Sequence, residues 1–146
     1  MTAVTAEILL VDDNPADLDL TIDALGQSKW PANVSTVCDG MEAIAFLRRK
    51  GKYTAAARPN LVLLDLNLPR KDGRSVLAEV KSDPALRRIP VVIFSTSQAP
   101  LDIERSYALG ANSYVSKPPT LRDWMAAVVL LKEFWIGCAC LPHEEN

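Results

Sequence analysis

The chain lacks most of what would mark a nucleic-acid binder, a secreted disulfide scaffold or a membrane protein. Its 16 basic and 18 acidic residues leave a net charge of -2. No Lys/Arg run forms a basic stripe, which argues against general affinity for nucleic acid. Only three cysteines are present, Cys38, Cys138 and Cys140. An odd number with no signal-like start fits a reducing, cytoplasmic setting better than a disulfide framework. Cys138 and Cys140 are one residue apart with no second pair, so a packed or free thiol is the expectation, not a metal or redox pair. The lone histidine, His143, is read as solvated. No glycine-rich loop follows the first apolar run, which disfavours a nucleotide or flavin site. The longest apolar stretch, Trp124 to Leu141, is interrupted by Lys132 and Glu133. It is too short and too broken for a span of about 20 residues, so a terminal helix plus a tail is expected and no membrane partner.

What is present is ordinary for a globular domain: 146 residues, 49% hydrophobic and 23% charged, enough for one core. There is no internal repeat. Short apolar runs alternate with helical patterns, which reads as βα units around a parallel sheet. Strands are expected near Ile8–Val11, Val34–Val37, Leu61–Leu64, Val91–Phe94 and Ser113–Val115. Helices are expected near Pro15–Leu25, Met41–Arg49, Gly73–Lys81, Leu101–Leu109 and Thr120–Trp135, with Lys52 to Asn60 as a loop. Asn14 followed by Pro15 is a favoured helix start, and Gly26 a favoured stop. Ala43, Phe46 and Leu47 should face the core. Leu61-Val62-Leu63-Leu64 has no polar alternation, as in a strand covered on both faces. Five strands and five helices leave no room for a second domain.

Chemistry gathers where the apolar runs end. Asp12-Asp13 follow the first run, Asp65 the third, Ser95 the fourth and Lys117 the fifth. Ligands of open parallel sheets bind outside the carboxyl ends of strands, so these groups can converge. Asp12 and Asp13 alone could be turn or capping residues. Asp65 is harder to explain so, because a buried carboxylate needs a partner or a metal. Lys117 raises the same question, and a salt bridge to one of the carboxylates would itself bring the groups together. Three carboxylates in one pocket repel unless a cation neutralises them, and an all-oxygen set suits Mg²⁺. An aspartate in such a site can act as nucleophile and carry a phosphoryl group as an acyl phosphate. Asp65, the most central, is the candidate nucleophile. Asp12 and Asp13 would hold the metal, and Ser95 and Lys117 would contact phosphoryl oxygens.

These residues carry a resemblance. Val11-Asp12-Asp13-Asn14, the segment Asp65-Leu66-Asn67-Leu68-Pro69-Arg70-Lys71-Asp72-Gly73, Ser95-Thr96 and Lys117-Pro118 together resemble the receiver domain of two-component response regulators, over Ile8 to about Phe134. The resemblance implies an α/β, flavodoxin-like, doubly wound five-stranded parallel sheet of order 2-1-3-4-5 with five helices. One receiver domain would fill 1–146, with its core at about 7–134 and a tail at 135–146. It implies Asp65 as phosphoacceptor, assisted by Ser95 and Lys117. It implies a Mg²⁺ or Mn²⁺ site of Asp12, Asp13, Asp65 and the Asn67 carbonyl, with Ser95 and Tyr114 as the switch pair. An alternative for Tyr114 is an edge-strand aromatic packed on the fourth helix. Thr96 and Leu68 depart from the small residue and the methionine frequent at those places. A narrower resemblance rests on Arg58-Pro59-Asn60-Leu61, Ser95-Thr96-Ser97 and Glu133-Phe134-Trp135 with Leu141-Pro142. It is to single-domain regulators paired with cyanobacterial phytochrome kinases, which tend to dimerise through their C-terminal region. The implied partners are a sensor histidine kinase, a phytochrome among the candidates, and a second copy of the chain.

The last helix bears on that dimer independently. Leu121, Met125, Val128 and Val129 are expected to cover a sheet face, while Ala127, Leu130 and Phe134 form a second apolar side. That side, with Trp135, is the expected homodimer interface, unless the tail Trp135 to Leu141 folds back over it. The leading function is a phosphorylation-controlled signalling domain whose surface of fourth helix, fifth strand and fifth helix changes affinity for a separate partner. The chain would be a phosphoacceptor with at most self-phosphorylation and self-dephosphorylation chemistry. An alternative is a Mg²⁺-dependent aspartyl phosphatase of the haloacid-dehalogenase type, but its general acid would fall on Asn67, which cannot serve. Another is an interaction module of the same fold that does not depend on phosphorylation.

Overall fold

The computed structural model describes residues 5–142. His143, read above as solvated, lies outside the described residues. The chain runs β1 (Ala6–Val11), α1 (Pro15–Gly26), β2 (Ala32–Val37), α2 (Gly40–Leu47), β3 (Leu61–Leu64), α3 (Gly73–Ser82), β4 (Val91–Ser95), α4 (Pro100–Ala108), β5 (Ser113–Ser116) and α5 (Leu121–Trp135). All pairings are parallel and the order is β2-β1-β3-β4-β5. A single turn of 3₁₀ helix, Gly51–Tyr53, interrupts the expected loop.

Strand side chains alternate between the two faces, so each face has its own core. Leu9, Val11, Val62, Leu64, Val91 and Ile93 meet Ala43, Phe46 and Leu47 of α2 and Val76, Leu77 and Val80 of α3. Ile8, Leu10, Leu61, Leu63, Val92 and Phe94 meet Leu18, Ala24 and Leu25 of α1 and Trp124 and Val128 of α5. β3 and β4 are buried throughout, as the apolar runs Leu61–Leu64 and Val91–Phe94 require, and Ser95 at the end of β4 is buried with them. β2, at one edge, is half exposed and begins at Ala32, two residues before the expected Val34.

Four helices start on capping side chains. Asn14 accepts from the amides of Ala16 and Asp17 at 2.9 and 3.2 Å. Asp39 accepts from Glu42, Asp72 from Ser75 and Thr120 from Asp123. The α1 C-terminus is closed from outside: Lys132 of α5 donates to the Leu25 carbonyl at 2.6 Å.

The inward stripe of α5 differs from the expectation. Leu121 is 61% exposed, and the buried residues are Trp124, Val128 and Lys132. Trp124 wins the inward place because its ring packs on Phe94 and its Nε1 donates to Thr21 Oγ1 at 3.2 Å. Lys132 can follow it inward because its ammonium has a carbonyl to reach. Among the described residues no helix is long and apolar enough to cross a membrane.

Candidate metal and phosphoacceptor site

The sheet register builds the site. Val11 pairs with Leu64, so the residues after them, Asp12 and Asp65, emerge side by side. Ser95 pairs with Ser116, so Lys117 emerges next to Ser95. Backbone bonds continue the ladder past the strand ends and fix these residues: Asp12 N–H to Val37 O at 3.2 Å, Asp65 N–H to Val11 O at 2.9 Å, and Lys117 N–H to Ser95 O at 2.7 Å.

Lys117 is the hub. Its ammonium donates to Asp12 at 2.7 Å, Asp17 at 2.9 Å and Asp65 at 3.0 Å, with only 2% of its side chain exposed. Its three hydrogens thus have three carboxylate partners. The rings of Phe94 and Trp124 stand 5.9 and 5.8 Å from Nζ and wall it in. Burial alone would push the ammonium pKa down. The bonds to Asp12, Asp17 and Asp65 outweigh burial and hold it above its ordinary value, so Lys117 stays charged. The Asp12 carboxyl is pushed up, mainly by burial, despite the bonds from Lys117 and the Asn14 amide. Its other oxygen accepts from the Asn14 amide at 2.9 Å, and Asp65 Oδ1 accepts from the Asn67 amide at 3.3 Å.

Carboxylate oxygens of Asp12, Asp13 and Asp65 lie within 4.8 Å of one another, with Asp13 at the exposed mouth. Lys117 reaches two of these three. One ammonium shared with Asp17 leaves the set under-neutralised, and an opening toward solvent lets an ion enter. The hard oxygen donors therefore fit a divalent cation of the Mg²⁺ or Mn²⁺ kind.

Comparison with known proteins agrees with this geometry. The profile of the response regulator receiver domain matches residues 8–129. The chain belongs to the response regulator receiver family. It is 45% identical over 135 residues to the response regulator Rcp1 of Synechocystis sp., covering 92% of each chain. It superposes on the phosphorylated cyanobacterial phytochrome response regulator RcpA with a TM-score of 0.93 at 52% identity, over 96% of this chain and 100% of that one. The Mn(2+)-bound form of Rcp1 gives a TM-score of 0.91 at 44% identity, over 94% and 99% of the two chains.

In this receiver the remaining sequence candidates are placed as follows. Ser95 is fully buried and its Oγ accepts from the Ser97 amide at 3.3 Å. Tyr114 is half-buried against the α2–α3 core, and its hydroxyl donates to the Ser97 carbonyl at 2.8 Å. The two residues of the expected switch pair therefore meet at Ser97. Tyr114 also touches α4: its amide donates to the Tyr107 hydroxyl at 3.1 Å. Thr96 is exposed, and Leu68 is buried in the core.

Asp17 was not foreseen as a site residue. Read along the sequence it is an ordinary acidic residue in a first helical turn. The signal that could have found it is periodic: Asp17, Thr21 and Ala24 are spaced four and three apart, and Thr21 and Ala24 are buried. A carboxylate at the open end of an inward stripe, beside the strand ends, needs a partner.

Proposed function

We propose that Asp65 accepts a phosphoryl group from a histidine kinase and that the phosphorylated receiver changes the α4-β5-α5 surface it offers a partner. The observation that carries this is the bridge made by Lys117 between Asp12 and Asp65 across adjacent strand ends. It places a permanent cation beside the candidate nucleophile and beside a metal-type carboxylate set.

In the reaction an Asp65 carboxylate oxygen attacks phosphorus. The P–N bond of the donor phosphohistidine breaks, and its electron pair leaves with the imidazole. Transfer of this kind asks for positioning and charge neutralisation. Lys117 supplies a donor for an equatorial phosphoryl oxygen, in a site where burial strengthens the interaction. Asp12, Asp13, Asp65 and the Asn67 carbonyl would hold Mg²⁺ or Mn²⁺, which would supply the remaining positive charge. Ser95 supplies a hydroxyl for a phosphoryl oxygen, giving up its bond to the Ser97 amide, and Tyr114 follows through Ser97. RcpA is a cyanobacterial phytochrome response regulator, which makes a phytochrome kinase the first donor to try. A second copy of the chain is the proposed partner on α5, where Leu130 and Phe134 are 67% and 52% exposed.

The direct test is intact-mass measurement after incubation with Mg²⁺ and acetyl phosphate, beside Asp65→Asn. The expected outcome is one phosphoryl group on the wild type alone. A gain on both proteins would move the acceptor elsewhere, and no gain on a folded wild type would reject the reading.

A further inference from the structure

Three carboxylates hold Lys117, and two of them have other work. Under the proposed function Asp12 turns to a metal, and Asp65 receives the phosphoryl group. The Lys117 bond to Asp65 Oδ2 must then be exchanged for one to a phosphoryl oxygen, and the bond to Asp12 is shared with a divalent cation. Asp17 alone serves neither role. It stands on the first turn of α1, behind an Asn14 cap that fixes that turn, and its Oδ2 lies 2.9 Å from Lys117 Nζ.

We propose that Asp17 is a positioning residue: it anchors the Lys117 ammonium while Asp12 and Asp65 change partners, so that Lys117 stays aimed at the phosphoryl group. The proposal rests on the reading of Asp65 as phosphoacceptor. Lysine is a flexible four-carbon arm with a point charge, and its aim depends on what holds its tip. Phe94 and Trp124 restrict the arm sideways but offer no hydrogen-bond acceptor, so they cannot orient the ammonium hydrogens. The bond also ties the capped first turn of α1 to the site.

Geometry and field predict opposite signs. If Asp17 acted only through its charge, removing it would speed attack on an anionic donor. If it acts as an anchor, removing it slows transfer, because misplacement of a catalytic group by about 1 Å can cost up to about a hundredfold. The experiment compares wild type, Asp17→Asn, Asp17→Ala and Asp65→Asn. Phosphoryl gain from acetyl phosphate is followed by intact mass at saturating Mg²⁺, Mg²⁺ affinity by calorimetry and folding by thermal melt. The expected result is a rate lowered about tenfold in Asp17→Ala, with Mg²⁺ affinity within about threefold of wild type. Asp17→Asn, which keeps an acceptor oxygen of the same shape, should fall between the two. It also decides the matter if the alanine variant folds poorly. A wild-type or faster rate in both variants overturns the proposal, as does a parallel loss of rate and Mg²⁺ affinity. If the wild type gains no phosphoryl group, the phosphoacceptor reading fails and takes this one with it. If the wild type reacts and Asp65→Asn does not, the outcome for Asp17 stands on its own.

Discussion

At the residue scale, position along a strand decides what a side chain can do. Asp65 and Lys117 were legible because each is a charge set directly behind apolar strand residues, where water cannot follow and a partner is required. Asp17 was not, because a first-turn aspartate has an adequate local reason to exist. Gly73 shows a further constraint that the sequence conceals. A Cβ there would stand 2.1 Å from the Asp65 carbonyl oxygen and 2.7 Å from Leu66 Cα. Both are backbone atoms of the site segment and cannot rotate away, and the Gly73 amide donates to the Leu66 carbonyl at 2.8 Å. Gly73→Ala is therefore expected to destabilise the fold by about 1–3 kcal/mol and to displace Asp65. Gly26→Ala is the control, since a Cβ there meets nothing within 4 Å and the residue has no positive φ. It should be neutral or stabilising by up to about 1 kcal/mol. Urea denaturation of both variants checks the contrast. Equal stability of the two would mean the Asp65–Leu66 backbone can yield after all.

At the scale of elements, α4 is held differently from its neighbours. Of its residues only Ser106 is buried, and Ala99 before it has no side chain to cap with. Its attachment is polar. Asp102 accepts from the Ser97 hydroxyl at 2.5 Å and pairs with Arg74 of α3. Ser97 in turn meets both Ser95 and Tyr114. Elements with few buried apolar contacts open at low free energy, so α4 is the helix most able to shift when Ser95 moves. Asp102→Ala should raise amide hydrogen exchange within α4 several-fold while leaving β3 protected. The pH dependence has a definite sign. The Ser97 hydroxyl first, and Arg74 second, hold the Asp102 carboxyl below its usual range. Because the folded pKa is depressed, this tie is complete above the ordinary aspartate value and is lost as pH falls through the lowered one. Exchange in α4 should therefore begin to rise only below about pH 4. Exchange that responds around neutral pH would assign the tie to some other group.

The elements themselves were largely readable, since β3 and β4 are apolar runs and α1 has Asn14-Pro15 at its start. The rotation of α5 was not. Counting apolar residues favoured Leu121, whereas the observed face is set by what its members reach: Trp124 finds Thr21 and Lys132 finds the Leu25 carbonyl. A hydropathy pattern contains no information about such acceptors on another helix. For the same reason it scored Lys132 as an interruption, although the residue is buried.

At the scale of the whole molecule, α5 lies on α1 with one side and leaves Ala127, Leu130 and Phe134 on another. The expectation that the tail could cover them is not met among the described residues. After α5 the chain turns on bonds from the Gly137 amide to Glu133 O and from the Ala139 amide to Phe134 O, and Gly137 comes to rest against the indole of Trp30. That contact leads the tail toward the α1–β2 connection. Trp135, expected at the interface, is half-buried against the α1–α5 core, so of the residues expected there Leu130 and Phe134 are the large apolar ones offered outward. A stable interface needs roughly 800 Å² from each partner, more than two side chains supply, so the surrounding surface of α5 must join them in it. Replacing both Leu130 and Phe134 by aspartate places like charges opposite each other across a two-fold contact, because in such a contact each patch faces its own copy. The double variant is expected to sediment as a monomer with an unchanged melting temperature, while the wild type sediments as a dimer. Repeating the sedimentation after acetyl phosphate treatment relates assembly to the site: a dimer that tightens with the phosphoryl group makes α5 part of the output. A wild type that is monomeric in both states would leave α4 and β5 to carry the signal.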